Sequence, residues 1–131
     1  MKSQILLYNI PQAKMSKLRV LCMRLGLKMH PVAGEDYAKT LTQLLDIEGA
    51  APAEAPADAR EPFTDEMLVM CGFDQRTVDE LLTGMRRERI PVIPLKAVLT
   101  ETNQNWTSYQ LHDEISAERE ALRAGKKAHQ K

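Results

Sequence analysis

From Ile5 to Pro31 the hydrophobic pattern of the chain recurs from Leu68 to Pro94, at a constant offset of 63 residues and without a gap. At that offset Ile10 falls on Phe73, Met15 on Val78, Leu18 on Leu81, Cys22 on Met85, Leu27 on Ile90, Met29 on Val92 and Pro31 on Pro94. The match lies in pattern more than in identity. A period of this length marks a supersecondary unit used twice, so both copies are expected to share local structure.

The run QILLY, Gln4 to Tyr8, is too short for a helix and is closed by Asn9 and Pro11, which predicts a buried strand. Met15, Leu18, Cys22 and Leu25 then follow at helical spacing, and Gly26 stands where a C-terminal cap belongs. Leu27 to Val32 reads as a second strand, and its proline suits an edge. A helix is expected from about Glu35 to Glu48 on Tyr37, Leu41, Leu44 and Leu45. In the second copy, Met67 to Cys71 is the strand and Gly72 to Asp74 the turn, with Asp74 as N-cap. Val78, Leu81, Leu82 and Met85 face inward from the next helix, and Ile90 to Leu95, with its two prolines, is the matching strand. A last helix runs from about Thr107, with Leu111, Ile115 and Leu122 inward, and gives way to a charged tail.

Each half is thus β-α-β-α, and the fold class is α/β with one four-stranded sheet covered by helices; the halves join either about a pseudo-twofold axis, which makes the sheet mixed and is the favoured reading, or in one direction as a small doubly wound sheet, and the sequence alone does not choose. The prolines put both second strands outside and leave Gln4 to Tyr8 and Met67 to Cys71 as the inner pair. A single domain over residues 1–131 is expected, with halves at 1–47 and 67–122 and a tail at 123–131. An acidic Ala/Pro linker, 48–66, lies between the halves; it contains no long aliphatic residue and cannot build a core.

Composition narrows the function classes. Hydrophobic residues at 44% and charged residues at 27% are those of a globular domain, and 131 residues suffice to bury roughly two thirds of the unfolded surface. Met15, Met23, Met29, Met67, Met70 and Met85 sit in periodic segments and read as core fillers. The net charge is zero, so nothing global draws the chain to nucleic acid or to an anionic membrane. Two cysteines, Cys22 and Cys71, lack metal-ligand spacing and predict buried thiols. Ile5 to Tyr8 is too short for a signal-peptide core, and no run approaches the roughly 18 apolar residues of a membrane span. A cytoplasmic location is expected.

After Pro94 the two copies part. The second inserts LKAVLTETNQNWTSYQL before its helix, gathering Lys96, Thr100, Thr102, Asn103, Gln104, Asn105 and Trp106. With Thr107 as N-cap, Gln110 completes a capping box, and Trp106 and Leu111 occupy the positions of a hydrophobic staple. The same segment offers a candidate loop for a ligand or partner through Lys96, Thr100, Thr102, Asn103, Asn105 and Trp106, because a lysine and unpaired N–H groups suit an anion. LKAVLTETNQNW, with MLVMCGF and RRERIPVIP upstream, resembles a small bacterial family catalogued as domain of unknown function 3783. The resemblance covers roughly Met67 to Arg119, and T-x-T-N-x-x-W is its most specific part. It implies a compact α/β domain ending in a helix and carries no activity with it.

No reactive constellation emerges. His30, His112 and His129 are scattered, the six glycines form no phosphate loop, and Asp79–Glu80 and Asp113–Glu114 are helix neighbours that point apart. No catalytic residue, metal or cofactor is therefore expected. Arg86, Arg87 and Arg89 are the densest basic cluster, at a helix end whose dipole they complement. The pattern fits a non-catalytic binding or regulatory module recognising a protein or a small ligand, with a homo-oligomer also open. The alternatives are nucleic-acid binding through the three arginines, or an enzyme using the Lys96–Asn105 loop.

Overall fold

The structure, a computed structural model, describes residues 2–46 and 60–129, and side chains as far as residue 125 of the last helix. Most of the expected linker, 48–59, lies outside the described residues, as do 47 and the last two residues of the tail. The elements are β1 (Gln4–Tyr8), α1 (Gln12–Leu25), β2 (Lys28–Pro31), a 3-10 turn (Gly34–Asp36), α2 (Leu41–Leu44), β3 (Met67–Cys71), α3 (Gln75–Arg87), β4 (Leu95–Val98) and α4 (Ser108–His129). They cluster into two compact units, one of residues 1–34 and 63–100, the other of 35–62 and 101–131.

The first unit holds a four-stranded mixed sheet in the order β2-β1-β3-β4. β1 and β3 run antiparallel with Leu6 opposite Val69, and each has a parallel outer partner, Gln4 opposite Lys28 and Met67 opposite Leu95. The inner strands carry no charged side chain, and Ile5, Leu6, Leu7, Tyr8 and all of β3 are buried on both faces. Ile5, Leu7, Leu68 and Met70 share one core with Leu18, Leu21 and Cys22 of α1, Leu81 and Met85 of α3, and Leu27, Ile90 and Ile93. Gly84 lets α1 and α3 approach closely, since a Cβ there would stand 2.6 Å from Leu21 Cδ1.

The two helices end alike. Gly26 is left-handed at φ 71, and Leu27 N–H donates to Cys22 O at 2.8 Å; Arg89 is left-handed at φ 55, and Ile90 N–H donates to Met85 O at 2.9 Å. Both are Schellman caps closed by an apolar residue that enters the core. β1, α1 and this cap stand 63 residues before β3, α3 and theirs, whereas β2 and β4 are 67 apart by their first paired residues.

The expected strand at Ile90–Leu95 is therefore displaced to Leu95–Val98. Pro91 and Pro94 have no N–H to give a parallel partner, so pairing begins only beyond them. Three further expectations are corrected. The helix at Glu35–Glu48 is a 3-10 turn and one short helix, because Tyr37 and Thr40 spend backbone groups on distant segments. Met23 and Leu122 are on the surface, 77% and 68% exposed. Residues 123–129 continue α4, as their good helix formers allow.

The second unit is built around two capping boxes of the same form. Thr40 Oγ1 accepts from Gln43 N–H while Gln43 Oε1 accepts from Thr40 N–H, and Thr107 and Gln110 do the same at the start of α4. An isolated antiparallel bridge joins Thr40 to Thr107. Tyr37 meets Tyr109 edge to face, and Arg60 lies over the Tyr109 ring at 4.6 Å while pairing with Asp113.

Candidate functional site: an apolar concavity with a cationic rim

The Lys96–Trp106 segment does not form one loop. Lys96 belongs to β4, and Lys96 and Thr100 fall in the first unit, while Thr102, Asn103, Asn105 and Trp106 fall in the second. In the second unit the segment's backbone is consumed by structure. Trp106 O accepts from Leu41 N–H, Gln104 O from Thr42 N–H, and Tyr37 O from Ser108 N–H, all at 3.0–3.1 Å. Asn103 is buried, Trp106 half-buried, and Thr100, Thr102 and Asn105 exposed. Among the described residues no buried side-chain nitrogen or oxygen lacks a hydrogen-bond partner. Among the described residues, then, no buried side chain of this half needs a ligand to satisfy it.

Lys96 is placed differently. The Schellman cap turns the chain back at Arg89 and sends Ile90 and Ile93 into the core, and the prolines hold residues 91–94 away from the sheet. Two lysines tie this turn down: Lys14, ion-paired with Glu66, donates to Val92 O at 3.0 Å, and Lys96 donates to Ile93 O at 2.8 Å. Between the turn and the last turns of α3 lies a concavity of about 250 Å³, lined by Leu82, Met85, Arg86, Ile90, Val92, Ile93 and Lys96. Among the described residues that line it, five are apolar and two are cations.

A larger groove of about 600 Å³ runs along α1 and α3 and is lined by Leu21, Leu25, Arg24, Arg76, Arg87, Asp79, Glu80 and their neighbours. Its charges are of both signs and largely paired: Arg76 with Glu80 at 3.0 Å, and Arg24 with Glu88 at 2.9 Å. Such exposed pairs mark a solvated helix face. The arginine cluster is split accordingly, with Arg86 at the smaller concavity, Arg87 at the groove, and Arg89 in the cap.

Three groups among the described residues have acidities shifted by their surroundings. Burial pushes the Cys22 thiol up to about 11 and the Cys71 thiol up to about 12, so neither supplies a thiolate near neutrality. The Asp74 carboxyl is held below its ordinary 3.8 by hydrogen bonds from the Thr77 hydroxyl and N–H, as a helix cap. Among the described residues no three His, Cys, Asp or Glu side chains gather as metal ligands, and no helix is long and apolar enough to cross a membrane.

The lining of the concavity was legible only in part. Lys96 and Arg86 stand out as charges, but Leu82, Met85, Ile90, Val92 and Ile93 read as ordinary core residues; the proline pair around Val92 and Ile93 was the one sign that the chain would bulge there. Residues 66–122 match the family described as domain of unknown function (DUF3783), which spans the concavity and the capped start of α4. No curated protein and no solved structure matches the chain.

Proposed function

We propose, starting from a family match that assigns no activity, that the protein is a non-catalytic binding module whose small ligand sits in the concavity between α3 and β4. One observation carries this reading: Arg86 of α3 and Lys96 of β4 both line a preformed hollow whose other described lining residues, Leu82, Met85, Ile90, Val92 and Ile93, are apolar. Hollows with apolar walls and a few placed polar groups are where small molecules bind. The same reading places the protein in the bacterial cytoplasm, which its two free, buried cysteines support. It also derives the two strand-helix-cap segments from one ancestral unit, supported by the caps at Gly26 and Arg89.

The test is a nuclear magnetic resonance screen of small neutral, anionic and cationic fragments. Hits are expected to move the amides of Leu82–Arg86 and Ile90–Lys96. A screen whose hits all map elsewhere, or that gives none, overturns the reading.

A further inference from the structure

We propose that the outward face of α1 docks an amphipathic helix with acidic flanks, contributed by a partner protein. The first 34 residues carry six basic side chains, Lys2, Lys14, Lys17, Arg19, Arg24 and Lys28, and no acidic one, whereas the remaining 97 carry twelve basic and eighteen acidic. The zero net charge thus hides a cationic segment, and α1 holds four of its six cations. α1 buries Leu18, Leu21 and Cys22 and turns Ala13, Ser16, Val20 and Met23 outward. Those four follow at intervals of three, four and three, which makes one straight seam along the helix. Val20 and Met23, one turn apart, are 58% and 77% exposed, so the seam ends in two large apolar side chains that face solvent together. At about 100° per residue, Arg19 flanks the seam on one side, and Lys17 and Arg24 flank it on the other. Arg24 pairs with Glu88; among the described residues Lys17 and Arg19 have no ion-pair partner.

The charges around the seam select the occupant. A seam at this spacing with charged flanks is how one helix reads another, and here every flank is cationic, so the complementary helix carries Asp or Glu beside its own apolar stripe. The α1 of a second copy would set cation against cation. Nucleic-acid phosphates need cations at the middle of a face, where this helix presents Val20 and Met23. A lipid surface holds a helix through several bulky apolar or aromatic side chains, and α1 has no aromatic residue. The seam is also graded. Ala13 and Ser16 leave room at its first half for bulky side chains of the partner, while Val20 and Met23 fill its second half. Because the buried face of α1 is anchored in the core, the docking surface is preformed and little ordering is lost on binding.

Synthetic peptides of the length of α1, 14 residues, titrated into the full chain at low salt and followed by amide shifts, test the face. One is a helix with leucine along its seam and glutamate on both flanks, another has the same seam with lysine flanks, and the last is a scrambled form of the first. The glutamate-flanked helix is expected to move the amides of residues 13–24 and to bind at least about tenfold tighter than the scrambled peptide, while the lysine-flanked helix leaves them unmoved. Lys17→Glu combined with Arg19→Glu should reverse the preference between the two helices; both side chains are exposed, and an otherwise unchanged spectrum shows that the fold is kept. Val20→Gln should weaken the glutamate-flanked helix about tenfold and leave the scrambled peptide unaffected. Equal binding of the glutamate-flanked and scrambled peptides overturns the seam and leaves only attraction between charges. No shift along α1 from any peptide overturns the site altogether. Tighter binding of phosphatidylglycerol vesicles or of a DNA duplex, lost in the charge-reversed variant, overturns a protein as the partner. A dimer in sedimentation that the same charge reversal dissociates overturns the foreign helix and assigns the face to a second copy of the chain.

Discussion

Arg89 occupies a backbone position that favours glycine. Its φ of 55 completes the cap of α3, where α1 uses Gly26 at φ 71. A side chain in the left-handed region costs roughly 1–2 kcal/mol, partly offset by the larger unfolded-state entropy of glycine. Arg89→Gly is expected to stabilise the protein by about 0.5–1 kcal/mol in urea melts, since Arg89 lines neither concavity. Asp74 gives a prediction of opposite kind. Its folded-state acidity is raised by the Thr77 bonds, so the stability it contributes is present above about pH 3.9 and is lost as pH falls through the lower, folded value. The melting temperatures of the wild type and of Asp74→Ala should therefore differ by a constant amount from neutrality down to about pH 4 and converge below it.

At the scale of elements, the two T-x-x-Q caps explain why α2 and α4 begin where they do. Thr107 and Gln110 satisfy each other's backbone N–H, and the Thr107 backbone also bridges to Thr40. Thr107→Ala should cost about 1 kcal/mol, and Gln110→Ala added to it should cost less than it does alone, because each bond of the box supports the other. A double-mutant cycle in urea measures the coupling; strict additivity would mean that the box contributes nothing beyond its separate bonds. The cap was readable before the structure because its residues lie within four positions of one another. The position of β4 was not, because it depends on which N–H groups a parallel neighbour can use after two prolines, and that neighbour is 28 residues upstream at Met67.

At the scale of the whole molecule, β1 and β3 pair on both edges and are buried on both faces, whereas β2 and β4 each have one partner strand in the sheet. The amides of β1 and β3 should exchange slowest with solvent deuterium, at rates set by global unfolding. Cys71 lies in β3 and is fully buried. Its modification by a thiol reagent at pH 8 is expected to follow the same global opening, with a rate that rises in step with urea; rapid labelling of the native protein would show that the sheet opens locally. The compact units cut across the sequence halves, since segments 1–34 and 63–100 belong to one unit and 35–62 and 101–131 to the other.

While the antiparallel pairing of β1 with β3 that makes the sheet mixed came from the tertiary structure, the sequence by itself determined a four-stranded α/β fold, its inner strands, the first and third helices and three of the caps: Gly26, Asp74 and Thr107. These rest on local information: uncharged runs, helical spacing, and capping residues within four positions of their targets. Only the tertiary structure decided that the polar stretch after Pro94 divides, with Lys96 carried on β4 to the rim of an apolar hollow and Gln104, Trp106 and Ser108 held by backbone bonds to Thr42, Leu41 and Tyr37. It also decided that Arg86 and Arg87, adjacent in sequence, line different hollows. Neighbours on a helix point about 100° apart, and which of them lines the same hollow as Lys96 depends on contacts that no local pattern encodes.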